Sequence, residues 1–333
     1  MSFVSKKEGK DTVYQPEPFF SGLLRRTGGP LRFNSVNLFS LTSFMQRRSF
    51  LKQSGLLTAG AIAVNQIDVL ANAPGKTIDP FGVQLYSTRD ILPKDPKGVM
   101  TQLAKMGYKQ FESYSGPQGF LWGMEPKEMK SFLDGLGVKM ISTHFNYGSE
   151  RNKPDDLKKS IAMASEAGLT YLLCPHIGPQ KTFDDWKKIT DQFNTTGELM
   201  QKSGLKFGYH NHDYSFKPLD GKIPQEYLLA NTDPKNVMFE LDLCWIDVAG
   251  QDTIGHLKKY GNRYELCHIK DYRKENGKPV QNDLGQGNVD FRKTLRAAMD
   301  SSIKYFIVEQ EEYPESVLGS MKNDAEYMKK LTV

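Results

Sequence analysis

Cysteine is scarce in this 333-residue chain, which has only Cys174, Cys244 and Cys267. The number is odd, and each of the three lies inside an apolar run that we predict to be a strand, so no disulfide framework is expected. We predict that they are buried small hydrophobic side chains.

Long hydrophobic runs are also missing. No apolar stretch is long enough to span a bilayer, and 38% hydrophobic with 25% charged residues is typical of a soluble globular protein. The sequence therefore excludes an integral membrane protein.

Most of the chain carries no excess charge. Residues 1–73 hold nine Lys/Arg against four Asp/Glu, and the other 35 basic and 35 acidic residues cancel, so the formal charge of +5 belongs to the N-terminal part. A neutral body lacks the basic surface that binds a phosphate backbone, and we expect no nucleic-acid partner.

The basic N-terminal part contains the features of an export signal. In residues 45–73, "MQRRSFLKQSGLLTAGAIAVNQIDVLANA", an arginine pair precedes Phe-Leu-Lys and an uncharged apolar segment, and Ala-Asn-Ala follows as a cleavage signal. We predict a twin-arginine signal peptide, a periplasmic location and no membrane insertion after its removal. A basic helix start before a buried helix is the alternative. Residues 1–44 have no periodic pattern and are predicted to be disordered or to be a mis-assigned start.

From Pro80 onward, short apolar runs alternate with longer amphipathic ones that begin with acidic residues and often end at glycine. Eight such units of about thirty residues predict a single (β/α)8 TIM barrel. The eight predicted strands are 81–87, 109–115, 139–145, 170–177, 206–212, 237–245, 264–272 and 304–312.

A doubly wound open sheet is the competing fold. Its first strand is usually followed by a glycine turn that grips phosphate, but "VQLYSTRDILPKD" has no glycine there. The glycines of "GQGNVD" (285–290) do not directly follow a strand, so they are not a dinucleotide fingerprint.

Five of the six histidines fall at the predicted C-terminal strand ends, where a (β/α)8 barrel carries its reactive residues. The exception, His256, is predicted to lie on a helix. The five are His144, His176, His210, His212 and His268, and the same ends carry Glu112, Asp242 and Glu309.

The last four strands would be neighbours in the barrel, so one inward side chain from each would meet at one point. These are His210, Asp242, His268 and Glu309. Each alone has a structural explanation, but burying two carboxylates without a cation is costly. Two imidazoles and two carboxylates suit Mn²⁺, Zn²⁺, Co²⁺ or Fe²⁺, and we expect Mn²⁺ first.

The order "HNH", "DLCW", "CHIKD", "GQGNVDF" and "VEQEE" resembles the sugar phosphate isomerase/epimerase superfamily of xylose isomerase-like TIM barrels over roughly residues 80–330. The resemblance implies that residues 74–333 form one such domain. It also implies a divalent metal held by Glu, Asp, His and Glu on strands five to eight, positions that here carry His210, Asp242, His268 and Glu309.

The fifth strand departs from that pattern, with His210 in place of Glu. Ketose epimerases of the family use the fifth- and eighth-strand glutamates as an acid/base pair, so the departure favours isomerisation or elimination on a sugar, keto-sugar or ketoglycoside over simple epimerisation. These reactions share proton removal next to a carbonyl and an enediolate that a divalent ion stabilises.

Roles follow for the other residues near this centre. His212, Lys270, Glu309 and Glu112 are the predicted catalytic residues, with His212 as general base or hydrogen-bond partner and Lys270 polarising the carbonyl. The predicted substrate-binding residues are His144, His176, Trp245, Phe145 and Tyr86, the aromatic ones as a wall for a sugar ring.

The leading hypothesis is thus a metal-dependent isomerase or lyase whose partner is a small carbohydrate, with a homo-oligomer left open. A non-catalytic sugar- or metal-binding barrel is the alternative from another class. An abasic-site endonuclease is disfavoured by the neutral charge and the predicted export.

Overall fold

The computed structural model describes residues 75–333. The predicted signal peptide (45–73) and residues 1–44 lie outside them. Within the described part, eight parallel strands close into a barrel in the order β1-β10-β7-β6-β5-β4-β3-β2, so the predicted (β/α)8 fold is confirmed. The barrel strands are β1 Gly82–Gln84, β2 Gln110–Tyr114, β3 Lys139–His144, β4 Tyr171–Cys174, β5 Lys206–His210, β6 Val237–Asp242, β7 Tyr264–Ile269 and β10 Tyr305–Val308.

Helices follow the strands and pack around them. They are α1 Pro96–Met106, α2 Pro126–Leu136, α3 Tyr147–Glu150, α4 Pro154–Glu166, α5 Phe183–Gln201, α6 Pro224–Asn231, α7 Leu243–Val248, α8 Thr253–Tyr260, α9 Phe291–Met299 and α10 Val317–Lys330. Local sequence sets the ends: Asp95 accepts a hydrogen bond from the Gly98 amide at the start of α1, and Gly107 ends that helix in a left-handed conformation.

The inside of the barrel is apolar at one end and polar at the other. Alternate residues of a strand share a face, so Met238, Glu240 and Asp242 lie on one face of β6. Six buried side chains form a separate cluster below the polar residues: Ile141, Tyr171, Leu173, Met238, Leu266 and Ile307. A Cβ on Gly208 would collide with Met238 Sδ and Leu173 Cδ2, so any larger residue there would require these two side chains to shift.

Several predicted strand ends are wrong. The run 237–245 turns helical at Leu243, because the Asp242 carboxylate caps α7. The run 264–272 divides into β7 and β8 (Asp271–Glu275), which forms an antiparallel hairpin with β9 (Lys278–Asn282). His176 and His212 lie just past their strands, the latter directly before the 3₁₀ turn Asp213–Phe216.

The three cysteines are buried and free, as predicted. No helix among residues 75–333 has both the length and the apolar character needed to cross a membrane.

The "GQGNVD" segment surrounds a carboxylate of this protein. Asp271 accepts hydrogen bonds from the amides of Tyr272, Gly285, Gly287 and Val289 at 2.9, 2.9, 2.9 and 3.2 Å. A Cβ on Gly287 would collide with Asp271, so glycine is required for this close approach. The motif therefore fixes the loop between β9 and α9.

Asp271→Ala is expected to lower the free energy of unfolding by about 3 kcal/mol, since four backbone amides lose the buried carboxylate that accepts their hydrogen bonds. In a domain of this size that corresponds to a fall in Tm of roughly 6–12 °C, measurable by calorimetry. The matched control is Asp191→Ala, an exposed aspartate on α5, which should change Tm by at most about 1 °C. Equal melting of the two variants would contradict the role given to Asp271.

A second buried aspartate predicts a pH effect on stability. Asp324 on α10 is fully buried; one carboxylate oxygen accepts from the Leu284 amide at 2.8 Å and the other has no hydrogen-bond partner in the described structure. Burial, with the nearby charges of Asp283 and Asp271, raises the pKa of Asp324 to about 8.

Between about pH 4 and pH 8 the folded protein therefore holds a proton on Asp324 that the unfolded chain has lost, so this group makes stability fall as pH rises through that window. Asp324→Asn should remove this slope and, at pH 8.5, unfold with a free energy about 2 kcal/mol or more above that of the unsubstituted protein. Denaturant unfolding from pH 4 to 8.5 measures both. If the free energy of unfolding depends on pH in the same way in both proteins, the role given to Asp324 is refuted.

Candidate functional site

The structure brings together the four residues predicted as metal ligands. His210 and Asp242 end β5 and β6, His268 lies in β7, and Glu309 directly follows β10. One donor atom from each lies within 4.8 Å of the others, and all four side chains are buried. The common face results from the two-residue period of neighbouring parallel strands.

Asp242 is oriented by its own helix. Its Oδ1 accepts hydrogen bonds from the amides of Cys244 and Trp245 at 2.9 and 2.8 Å. Among the residues described, its buried Oδ2 accepts no hydrogen bond, and it lies 3.8 Å from His210 Nε2 and 3.4 Å from Lys270 Nζ. A buried carboxylate oxygen that accepts no hydrogen bond is costly, so this atom and the mixed imidazole and carboxylate donors fit a cation.

Lys270 forms ion pairs with three carboxylates near the rim of the barrel. Its Nζ lies 2.6 Å from Glu309 Oε2, 2.8 Å from Glu311 Oε1 and 3.4 Å from Asp242 Oδ2. Burial would lower the pKa of Lys270, but these carboxylates outweigh it and raise the pKa well above its usual value. Burial would likewise raise the pKa of Glu309, whereas Lys270 and His268 hold it well below its usual range. The pair is thus ionised.

A second layer of charged residues lies beneath these four. Glu240 Oε2 is 2.9 Å from both His144 Nε2 and His210 Nδ1, and 3.2 Å from His268 Nε2. Glu112 Oε1 is 2.7 Å from His268 Nε2 and 3.1 Å from His144 Nε2. Glu240 was missed in the sequence, although its place two residues before Asp242 in "FELDL" puts it on the same face.

Groups of opposite charge adjoin in this layer. Burial would lower the pKa of His144, but Glu112 and Glu240 raise it to about 9. Burial and Glu112 would raise the pKa of Glu240, whereas His268, His144 and His210 lower it to about 2. Both oxygens of Glu112 are already used, since Gln84 and His268 donate to Oε1 and Ser142 donates to Oε2 at 2.6 Å. The catalytic role predicted for Glu112 stays a prediction, and its contacts favour positioning.

A cavity of about 280 Å³ adjoins the four-residue cluster, and His210 and Glu309 are part of its lining. The lining also includes five other residues predicted to be catalytic or substrate-binding, which are His144, His176, His212, Phe145 and Tyr86. The remaining lining residues are Tyr114, Ser115, Asn146, Pro175 and Glu311. Tyr86 is half exposed and packs edge-on against Tyr114 with ring centroids 5.0 Å apart. The wall is therefore largely aromatic.

His212 lies between the cavity and a stack of aromatic rings. Its ring is stacked on Tyr214 and on Trp245, with centroids 5.6 and 5.8 Å away. Burial, with the positive charges of Lys270 and His176, lowers the pKa of His212 to about 3. Its Nδ1 is buried and has no hydrogen-bond partner in the part of the chain described. The neutral ring of His212 therefore lines the cavity and carries a lone pair that can accept a proton or a hydrogen bond.

Asn211 and Trp245 contact residues of the site and are not in the described lining of the cavity. Asn211 Oδ1 accepts from the Asp242 amide at 3.1 Å, so Asn211 ties β5 to β6 and does not contact a ring nitrogen. Trp245 lies behind His212 and beside Lys270, whose Nζ is 5.4 Å from the centroid of its ring. Trp245 therefore supports two predicted catalytic side chains.

Comparison with known proteins gives three informative likenesses. An inosose dehydratase of Clostridium perfringens is 29% identical over 147 residues, which cover 39% of this chain and 49% of that protein. A sugar phosphate isomerase/epimerase structure from Parabacteroides distasonis superposes with a TM-score of 0.64 at 28% identity, covering 77% of this chain and 94% of the other. The IOLI protein, solved with a zinc atom, has a TM-score of 0.60 at 15% identity, over 74% of this chain and 95% of that one.

The chain spans about half the length of the first of these relatives, and the 15% likeness concerns the fold alone. Residues 100–331 match the family model described as xylose isomerase-like TIM barrel, which is more than two thirds of the chain. The protein belongs to the xylose isomerase-like TIM barrel family.

Proposed function

We propose that this protein is a divalent-metal-dependent isomerase or lyase that removes a proton next to a carbonyl of a sugar, keto-sugar or ketoglycoside. The observation that carries the proposal is the convergence of His210, Asp242, His268 and Glu309 below a cavity that also exposes His212. The similarity to a dehydratase and to a sugar phosphate isomerase/epimerase supports this reaction class.

The donor set supports a divalent transition metal. Mn²⁺ is the proposed ion, and Zn²⁺, Co²⁺ and Fe²⁺ are the alternatives. When bound, the ion supplies positive charge that stabilises negative charge developing on substrate oxygens. Two carboxylates balance its charge, and the adjacent Lys270 ammonium is already paired with Glu309 and Glu311.

His212 is the proposed base, because its unpartnered Nδ1 is buried beside the cavity. Lys270 Nζ, within 3 Å of two carboxylates, is the proposed donor toward an oxygen of the substrate or of a departing group. His210 stands where family epimerases carry the first of two glutamates, so one face of the site lacks a carboxylate partner. This asymmetry favours isomerisation or elimination over epimerisation.

The cavity favours an uncharged substrate. Its described lining contains neither lysine nor arginine, while Glu309 and Glu311 are present. Lys270 and the proposed ion are already balanced by the carboxylates of Glu309, Glu311 and Asp242, so a phosphoryl group would add negative charge without a free cationic partner. Aromatic side chains such as Tyr86 and Phe145 instead offer apolar faces to a sugar ring.

The proposal is tested by solvent exchange in D₂O. Mn²⁺-loaded protein is incubated with 3-keto-glycosides, free ketoses and the matching unoxidised glycosides, and products are followed by mass spectrometry. Deuterium incorporation or cleavage that EDTA abolishes supports the proposal. An ion bound with no exchange or conversion in any sugar would favour the non-catalytic binding barrel.

A further inference from the structure

The charged residues beneath the four proposed ligands explain which ring nitrogen of His210 and of His268 faces the proposed ion. Glu240 is fully buried on the interior face of β6, and its Oε2 lies 2.9 Å from His210 Nδ1. Its other oxygen has no hydrogen-bond partner among the residues described. The position of Glu240 is therefore explained by the imidazoles around Oε2.

A neutral imidazole carries one N–H and one lone pair, and the hydrogen bond made by one nitrogen decides which the other offers. If His210 donates Nδ1–H to Glu240, its lone pair is on Nε2, the atom that faces Asp242 Oδ2 at 3.8 Å. If His268 donates Nε2–H to Glu112 at 2.7 Å, its lone pair is on Nδ1, 3.0 Å from Glu309 Oε2. Both lone pairs then point to the same place.

We propose that Glu240 is a positioning residue that holds His210 as the Nδ1–H tautomer, that Glu112 holds His268 as the Nε2–H tautomer, and that His144 links the two carboxylates. This inference rests on the proposed metal centre and concerns the residues directly beneath its four ligands. His144 Nε2 lies 2.9 Å from Glu240 Oε2 and 3.1 Å from Glu112 Oε1, so this ring nitrogen lies between two buried carboxylates that repel each other.

The same inner residues offer a competing arrangement. His144, His210, Glu240 and His268 also bring donor atoms within 4.8 Å of one another and could themselves hold an ion. Occupation of both sets at once would require both nitrogens of His210 and of His268, and so the loss of a second proton from each ring. One ion therefore binds one set or the other, and substitutions distinguish them.

The test is Glu240→Gln, which keeps the size of the side chain and removes its charge. We expect the affinity for Zn²⁺, measured by competition with a chelator, to fall about 10–100-fold with one site retained. In the Zn²⁺-loaded unsubstituted protein, ¹⁵N NMR should show His210 with Nδ1 protonated and Nε2 bound, and the Co²⁺ absorption spectrum should change in the variant. A purely structural role would leave that spectrum unchanged.

Asp242→Asn is the comparison variant. Loss of the ion in Asp242→Asn with weakened binding in Glu240→Gln supports the positioning role. Full affinity in Asp242→Asn with loss of the site in Glu240→Gln would place the ion in the inner set and overturn the inference. Unchanged affinity and spectrum in Glu240→Gln would overturn it as well, whereas failure of the unsubstituted protein to bind any ion would refute the proposed metal centre itself.

Discussion

Asp242→Asn is expected to lower kcat/KM by about 10³-fold or more and to reduce the bound divalent ion to a trace. The asparagine oxygen can still accept the hydrogen bonds from the Cys244 and Trp245 amides that begin α7, so the fold should persist. What is lost is the negative charge on Oδ2, the buried atom that accepts no hydrogen bond from the residues described. A factor of 10³ corresponds to about 4 kcal/mol of transition-state stabilisation, a size typical of one electrostatic contributor.

Metal content by mass spectrometry and turnover of the substrate found by solvent exchange are the two measurements. Asp213→Asn is the matched control, because this carboxylate pairs with Lys217 outside the four-residue centre and its loss should change neither value more than about twofold. Full metal content and activity in Asp242→Asn would exclude Asp242 as a ligand.

His212→Ala is expected to lower kcat by about 10²–10⁴-fold, the range for loss of a general base, while the ion stays bound. His212 is outside the four-residue set, and its unpartnered Nδ1 is the free acceptor that we assign to proton removal. Activity and metal content are measured on the same preparation. His212→Phe, which preserves a ring against Trp245 and Tyr214, should be equally inactive.

His176→Ala is the control for the effect of an altered cavity wall. The His176 ring lies 5.1 Å from that of His212 and also lines the cavity. We expect a change mainly in KM, with kcat within about tenfold. If His212→Ala retains full kcat, the base is another residue; if it loses the ion, His212 is part of the metal centre.

The four central residues could be found from the sequence for a simple reason. Parallel strands that all end at one rim bring their terminal side chains together, so His210, Asp242, His268 and Glu309 needed only correct strand ends within a residue or two. The two-residue period of a strand then fixes which side chains point inward. Both rules depend only on local sequence. Closure of the barrel then brings the strand ends together at the site.

Glu240 was missed because a carboxylate within "VMFELDLCW" was treated as one more residue of an apolar strand. Its three imidazole neighbours come from β3, β5 and β7, and no local rule in the sequence brings those strands to it. Burial of a charge depends on partners distant in the chain, which is why this layer required the structure.

Two other errors had usable signals. The apolar run "LCWIDV" of α7 resembles a strand, but Asp242 before it is a helix cap. The β8–β9 hairpin turns at Asn276-Gly277, both with positive φ, and Asn-Gly between two short runs is a strong hairpin signal. That hairpin matters to the site, since Gln281 accepts from the Glu311 amide at 2.7 Å and so fixes the partner of Lys270.

A crystal of the protein soaked in Mn²⁺ tests the central claim most directly, by its anomalous difference map. We expect one strong peak, bonded to His210, Asp242, His268 and Glu309. Absence of a peak there, or a peak bonded to His144 and Glu240 instead, would contradict it.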